Sequence, residues 1–225
     1  AAHPDDEVLG CGGYIARLRA EGHAVDVAFA TSGVGPGKGA PKKVNTRRHM
    51  AKRAADFLGG ASLHFSFVPG AEDNRLDALP RLEVARAVES LLDRLAGRNG
   101  NRGFLILLTH HPGDLNVDHR RLAEAALVAT RPGGRWPVSN LLFFETPSST
   151  EWSFNFGDSF LPNFFVAVAE QLEAKCLALE AYHSEVREFP HPRSREDVSA
   201  LARWRGGQCG LKAAEAFVLA RGIMR

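Results

Sequence analysis

The chain has 225 residues, 44% of them hydrophobic, which predicts one folded domain over residues 1–225 and excludes a disordered or fibrous protein. Its formal net charge of +2 gives no general attraction to nucleic acid. No apolar run approaches the roughly 20 residues of a membrane span, and three widely spaced cysteines argue against a disulfide framework. We therefore expect a cytoplasmic protein, with a homo-oligomer left open.

Hydrophobic periodicity predicts alternating helices and strands. We expect helices over residues 7–20, 46–58, 80–95, 119–129, 170–182, 195–204 and 211–219. Strands are expected between them, over residues 24–31, 62–68, 104–108 and 141–144. The Gly-rich loop over residues 32–39, after the first of these strands, is typical of a substrate lid. This order predicts a single-domain, Rossmann-like α/β fold, with a mostly parallel sheet, helices on both faces and right-handed crossovers. Since no strand precedes residue 7, we expect the first strand to lie before Ala1.

One imidazole and three carboxylates are concentrated in residues 3–7, directly before the first predicted helix. His3 and Asp6 are the N and O ligands that a catalytic zinc ion takes, and such an ion needs a third protein ligand and a position for water. Asp5 points away from its neighbour Asp6, and it is then placed to accept the proton of the activated water. Taken alone, both aspartates are equally well explained as acids at a helix N-terminus.

A second polar run, residues 109–119, follows the apolar strand predicted over 104–108. Loops that leave the carboxyl ends of neighbouring parallel strands converge at one edge of an α/β sheet. We therefore predict that His119, at the end of this run, is the third ligand. The ligands then come from segments more than a hundred residues apart.

The runs AHPDDE (residues 2–7) and DLNVDHR (residues 114–120) resemble the zinc-dependent de-N-acetylases known as the PIG-L or LmbE-like family. Further similarity, in the expected order, comes from Arg47, residues 58–59, residues 73–74 and residues 214–217. The resemblance implies that His3, Asp6 and His119 bind Zn²⁺ and that Asp5 is the general base. It also implies an N-acetylated sugar of the N-acetylglucosamine type as the small-molecule substrate, which is hydrolysed to acetate and a free amine. Ligand softness leaves Fe²⁺ as an alternative metal.

The chain departs from this family at Asn116, where many members carry a histidine that helps to stabilise the oxyanion. An Asn amide donates a hydrogen bond but delivers no proton, so either Asn116 is an oxyanion donor or a different histidine is the acid. The histidines considered for that role are His110, His111, His183 and His191. We favour His191, which lies on a stiff Pro-rich loop, although an incidental position in a solvated linker explains it equally well.

Substrate contacts are predicted at three charged residues. The resemblance associates Arg47 with substrate hydroxyl groups, Asp73 is suited to accept hydrogen bonds from a sugar, and Arg193 is suited to pair with a phosphate or nucleotide portion. For Arg47 and Asp73, the alternative is an ordinary solvated or ion-paired surface position. Glu145, at the end of a predicted strand, either faces the pocket or caps the next turn.

Two other functions remain open from the sequence. The glycines between Gly10 and Gly13 favour a nucleotide-cofactor enzyme, although the full G-x-G-x-x-G spacing after a strand is absent. The departure at Asn116 favours a metal-binding protein without catalytic activity.

Overall fold

The computed structural model describes residues 1–99, 105–136, 138–154 and 158–223. Its helices are α1 (Asp6–Ala20), α2 (Ala40–Phe57), α3 (Arg81–Asn99), α4 (Val117–Ala129), α5 (Leu172–Ala181) and α6 (Arg195–Gly207). Its strands are β1 (Asp26–Ala28), β2 (Ser62–His64), β3 (Ile106–His110), β4 (Asn140–Phe144), β5 (Phe164–Ala167) and β6 (Ala214–Gly222). Phe104, the first residue of a predicted strand, lies outside the described residues. In the part that is described, no helix has both the length and the apolar character needed to cross a membrane.

The strands form two sheets, and this corrects the prediction of one mostly parallel sheet. Strands β1 and β2 pair in parallel, and the other four strands lie in the order β3-β4-β6-β5. In the larger sheet only β3 and β4 are parallel, whereas β6 is antiparallel to both β4 and β5. The fold is therefore a mixed α/β domain.

Strand β6 replaces the helix that we predicted over residues 211–219, and strand β5 was not predicted. Alanine and glutamate favour a helix locally, and residues 214–217 contain little else. Here the segment lies between two strands, so hydrogen bonds to β4 and β5 satisfy its backbone on both sides. Tertiary pairing overrides the weak local propensity, as it commonly does.

Helices cover both faces of the larger sheet, as predicted. On β4, Leu142 and Phe144 belong to a core cluster shared with α1, α2 and α5, while Leu141 and Phe143 pack in a separate cluster with α4. Successive side chains of a strand point to opposite faces, which explains this division. Helices α3 and α4 also pack together in a further apolar cluster.

Glycines in α1 allow this helix to approach the sheet closely. A Cβ atom at Gly10 would overlap the ring of Phe144, and one at Gly13 would lie 2.9 Å from the Cβ of Val168. Both glycines are buried inside the helix. Packing thus accounts for the glycine pattern that suggested a nucleotide site.

Helix α1 is broken at Cys11, where φ is −148° and ψ is 21°. A buried ion pair satisfies backbone groups at the break. The carboxylate of Glu215 accepts hydrogen bonds from the amides of Gly13 and Tyr14, at 2.8 and 2.7 Å, and it pairs with the ammonium group of Lys175 at 2.6 Å. Glu215, on β6, therefore fixes the helix that begins beside the polar cluster of residues 3–7.

The carboxyl ends of β1, β3 and β4 lie at one edge of the molecule. The N-terminal ammonium group of Ala1 donates to the carbonyl of Ala28, the last residue of β1, at 2.9 Å. The carbonyl of Ala2 accepts a hydrogen bond from the amide of Thr31, just beyond β1, at 3.0 Å. The amide of Ala2 also donates to Nε2 of His110, the last residue of β3, at 2.9 Å. This arrangement brings the two polar runs of the sequence together.

Candidate metal and catalytic centre

Three buried side chains from the two polar runs converge on one point. Nδ1 of His3 and Nε2 of His119 each lie 3.3 Å from Oδ2 of Asp6. The ligand atoms of the three residues all lie within 4.8 Å of one another. Ligands held at about 2.0–2.1 Å by one tetrahedral ion lie about 3.3 Å apart, so the set has the spacing that zinc requires.

A second carboxylate lies beside the other ring nitrogen of each imidazole. Oδ2 of Asp118 lies 3.0 Å from Nε2 of His3, and Oδ1 of Asp114 lies 3.0 Å from Nδ1 of His119. A proton placed on those two nitrogens leaves the lone pairs of the opposite nitrogens directed at Asp6. Neither carboxylate was predicted to have a role, although both lie in the DLNVDHR run.

The donor set fits a divalent cation. Both ring nitrogens of His119 are buried, and among the described residues neither makes a hydrogen bond, although carboxylate oxygens of Asp6 and Asp114 lie 3.3 and 3.0 Å away. Burial lowers the pKa of His3, but Asp118 and Asp6 more than offset this and raise it to about 10. Two imidazoles and carboxylates packed this closely are typical of a site that a cation completes.

Asp5 lies beside these ligands in an unusual backbone conformation. Its φ of 129° is rare for a residue other than glycine, and its side chain makes no hydrogen bond that caps α1. Burial, together with the charge of Asp6, raises the pKa of Asp5 to about 7 against the opposing effect of two arginines. A helix-capping role therefore does not explain Asp5.

The backbone at Asp5 is supported by two buried residues that the sequence did not reveal. Oε2 of Glu7 accepts a hydrogen bond from the amide of Asp5 at 2.9 Å, and its Oε1 accepts one from the hydroxyl of Tyr182 at 2.6 Å. Burial raises the pKa of Glu7 to about 7. Tyr182 lies 175 residues after Glu7, so no local pattern could predict this contact.

The two arginines predicted to bind substrate both face Asp5. Nη1 of Arg193 lies 3.1 Å from Oδ2 of Asp5, and Nη1 of Arg47 lies 3.8 Å from the same oxygen. The carboxylate of Glu185 lies 2.6 Å from Nη2 of Arg47 and 3.6 Å from Nη1 of Arg193. Glu185 was not among the residues predicted from the sequence.

A cavity of about 470 Å³ opens over this centre. Besides the residues described above, its wall includes Asp73, Asn74, Leu115, Trp152 and Gly33, the last from the loop that we predicted as a lid. Oδ1 of Asp73 lies 3.3 Å from Nε2 of His3. The structure thus brings Arg47, Asp73 and Arg193 to one cavity with the predicted metal ligands.

Asn116 lines the cavity and also caps α4. Its Oδ1 accepts a hydrogen bond from the amide of Asp118 at 2.8 Å, and its Nδ2 donates to Oδ1 of Asn74 at 2.8 Å. The second hydrogen of the amide nitrogen is left for another acceptor. Helix α4 consequently begins two residues earlier than predicted.

The structure does not bring His191 into the cavity wall. Its Nδ1 accepts a hydrogen bond from the amide of Arg193 at 3.1 Å, and its ring packs against Trp152 with a centroid separation of 5.6 Å. Burial and the charge of Arg193 lower the pKa of His191. His191 therefore contacts an aromatic residue that lines the cavity but does not belong to the described lining itself.

The other histidines considered as proton donors also lie outside the described cavity lining. His110 stacks on His119, with 3.7 Å between ring centroids, and His111 lies 2.9 Å from a backbone carbonyl. His183 is exposed. Glu145 neither lines this cavity nor caps a turn, because both of its oxygens pair with Arg205, at 2.8 and 2.6 Å.

Comparison with known proteins identifies the class. A family model described as PIG-L, GlcNAc-PI de-N-acetylase, matches residues 1–130. The uncharacterized deacetylase YaiS of Escherichia coli K12 is 27% identical over 186 residues, covering 81% of this chain and 88% of YaiS. The chain belongs to the PIG-L family of de-N-acetylases.

Solved structures share the fold. The conserved protein TT1542 from Thermus thermophilus is 27% identical with a TM-score of 0.74, covering 100% of this chain and 94% of that one. N,N′-diacetylchitobiose deacetylase from Pyrococcus horikoshii is 19% identical with a TM-score of 0.70, covering 98% of this chain and 82% of that one. The 4-carboxy-2-hydroxymuconate hydratase GalB from a Pseudomonas strain, KT2440, is 21% identical with a TM-score of 0.68, covering 100% of this chain and 95% of that one. Since a deacetylase and a hydratase share this fold, the site must carry the functional argument.

Proposed function

We propose that the chain is a metal-dependent hydrolase that removes the acetyl group from an N-acetylated sugar, releasing acetate and a free amine. The observation that carries this proposal is the convergence of His3, Asp6 and His119, with Asp5 beside them. Membership of the PIG-L family and the likeness to a chitobiose deacetylase support the choice of substrate.

His3, Asp6 and His119 would hold the cation, Zn²⁺ or alternatively Fe²⁺. When bound, such an ion polarises a carbonyl group and activates water at neutral pH. Asp5 is the residue assigned to accept the proton of the attacking water. A general base works best when its pKa lies near the working pH, and burial raises the pKa of Asp5 to about 7.

Two further roles belong to the chain itself. The second hydrogen on Nδ2 of Asn116 is assigned to the acyl oxygen of the substrate, where negative charge develops. The protonated carboxyl group of Asp5 can then return its proton to the departing amine, because one group often serves as base and then acid. His191 is the alternative donor, although it lies beside Trp152 and outside the described cavity lining.

Polar residues around the cavity are assigned to the sugar. Arg47 can donate to hydroxyl groups and Asp73 can accept from them, while Trp152 offers an apolar ring face for the sugar. The cavity volume of about 470 Å³ lies within the range of small-molecule sites. No nucleic-acid or membrane partner is needed for this reaction.

The test is release of acetate and amine from N-acetylglucosamine and N,N′-diacetylchitobiose by zinc-loaded protein. Asp5→Asn is expected to lower kcat by about 10²–10⁴-fold while the bound metal is retained, because the amide cannot accept the water proton. The matched control Asp77→Asn removes an exposed carboxylate and is expected to leave kcat unchanged.

One result would instead support a metal-binding protein without catalytic activity. That result is a metal-loaded wild-type protein that releases no acetate from a broad panel of N-acetylated sugars.

A further inference from the structure

Four charged side chains form a closed ring beside the metal ligands. The carboxylates of Asp5 and Glu185 each lie within 4.0 Å of both Arg47 and Arg193, at distances of 2.6 to 3.8 Å. The four side chains are between 5% and 22% exposed. Each guanidinium is thus shared between two carboxyl groups, and the ring holds two acidic side chains for two arginines.

This balance matters for the kind of substrate that the cavity accepts. Two arginines in a cavity ordinarily form a receptor for phosphate or carboxylate, because guanidinium groups pair with such anions. Here Glu185 neutralises that potential, and Asp73 adds negative charge to the described lining, whereas the charge of Asp6 would be offset by the cation that it holds. An anionic substituent would compete with Glu185 and be repelled by it, whereas an uncharged hydroxyl group can still accept hydrogen bonds from the arginines.

We propose that Glu185 is a specificity-determining residue that makes this cavity select uncharged N-acetyl sugars over phosphate-bearing ones. The inference rests on the hydrolase function proposed above. It reassigns Arg193, which the sequence suggested as a phosphate ligand, to the support of Asp5. Nε of Arg193 also donates to the hydroxyl of Ser148 at 2.6 Å, which fixes the guanidinium against the cavity wall.

The test compares two substrates that differ in charge, methyl N-acetylglucosaminide and N-acetylglucosamine 1-phosphate. For zinc-loaded wild type, kcat/KM for acetate release is expected to favour the neutral glycoside by about tenfold or more. Glu185→Gln should shift this ratio toward the phosphate by about tenfold, because the two arginines then exceed the facing carboxylates. Glu185→Asp keeps the charge and should keep the preference.

A binding measurement makes the test independent of turnover. Calorimetric titration with inorganic phosphate is expected to show about tenfold tighter binding to zinc-loaded Glu185→Gln than to wild type. Glu145→Gln is the matched control, since Glu145 is also half-buried and paired with an arginine but lies outside the cavity lining, and its phosphate affinity should equal that of wild type.

The proposal is overturned if Glu185→Gln has the substrate ratio and the phosphate affinity of wild type, or if wild type hydrolyses both substrates equally well. Failure of the hydrolase function has a different signature, which is absence of acetate release from both substrates. In that case the phosphate titration still decides whether Glu185 excludes anions.

Discussion

Asp5 and His191 are the two candidates for the group that protonates the departing amine in the proposed reaction. Asp5 lies beside the metal ligands, whereas His191 lies beside Trp152, outside the described cavity lining, and its Nδ1 accepts a hydrogen bond from the amide of Arg193. We expect His191→Gln to lower kcat by less than about threefold, far below the loss of about 10²–10⁴-fold expected for Asp5→Asn. Initial rates of acetate release measure both. Equal losses in the two variants would assign the acid role to His191.

The carboxylate of Asp114 lies 3.0 Å from Nδ1 of His119, and we expect it to orient this imidazole when a cation is bound. Its oxygens also accept hydrogen bonds from the hydroxyls of Ser149 and Thr150, so it is held firmly in place. Asp114→Asn is expected to weaken zinc affinity by about 10–100-fold, because the amide no longer fixes the imidazole as a donor toward Asp114. Titration against a competing chelator measures the affinity, with Asp77→Asn as control. An unchanged affinity, with folding verified by circular dichroism, would contradict this role.

The sequence reveals some site residues and conceals others for a physical reason. His3, Asp5, Asp6 and His119 stand in two dense polar runs, and their chemical types alone indicate metal chemistry. Glu185 lies in the turn that follows α5, where the sequence shows no distinctive motif, and only the fold places it against Arg47 and Arg193. Residues whose role depends on contacts far along the chain leave no local pattern.

At the scale of elements, the close contact between α1 and the larger sheet depends on Gly10. Gly10→Ala is expected to lower the free energy of unfolding by about 1–3 kcal/mol, because the added methyl group overlaps the ring of Phe144. Gly12→Ala is the matched control in the same helix, where the nearest side-chain atoms lie at 3.4 Å. It should be far less destabilising, since alanine also favours the helix by about 1 kcal/mol.

Urea unfolding monitored by circular dichroism measures both alanine variants. If Gly10→Ala proved as stable as Gly12→Ala, the packing explanation for the glycines of α1 would be wrong.

Most helices and the strands β1 to β4 could be predicted, but the antiparallel pairing of β5 and β6 could not. Amphipathic periodicity places α1 and α3 to α6 within a few residues of their observed bounds. Strand β6 is the largest error, because residues 214–217 favour a helix until β4 and β5 provide partners. Strand direction depends on such partners, so the mixed character of the sheet was not predictable from periodicity.

The fold of the whole chain creates the site, because it brings together two polar runs, residues 3–7 and 109–119, that lie more than a hundred residues apart. His3 follows residues that pair with the continuation of β1, and His119 lies in the first turn of α4, after β3. The shared edge of the strands brings both to Asp6. The account therefore depends on one cation being held by residues from both segments.

The most direct test of that claim is the zinc content of purified protein after dialysis, measured by inductively coupled plasma mass spectrometry. We predict about one zinc per chain for wild type and for the control His49→Ala, which removes an exposed imidazole, and almost none for His119→Ala. A His119→Ala protein that is folded and retains as much zinc as wild type would contradict the account.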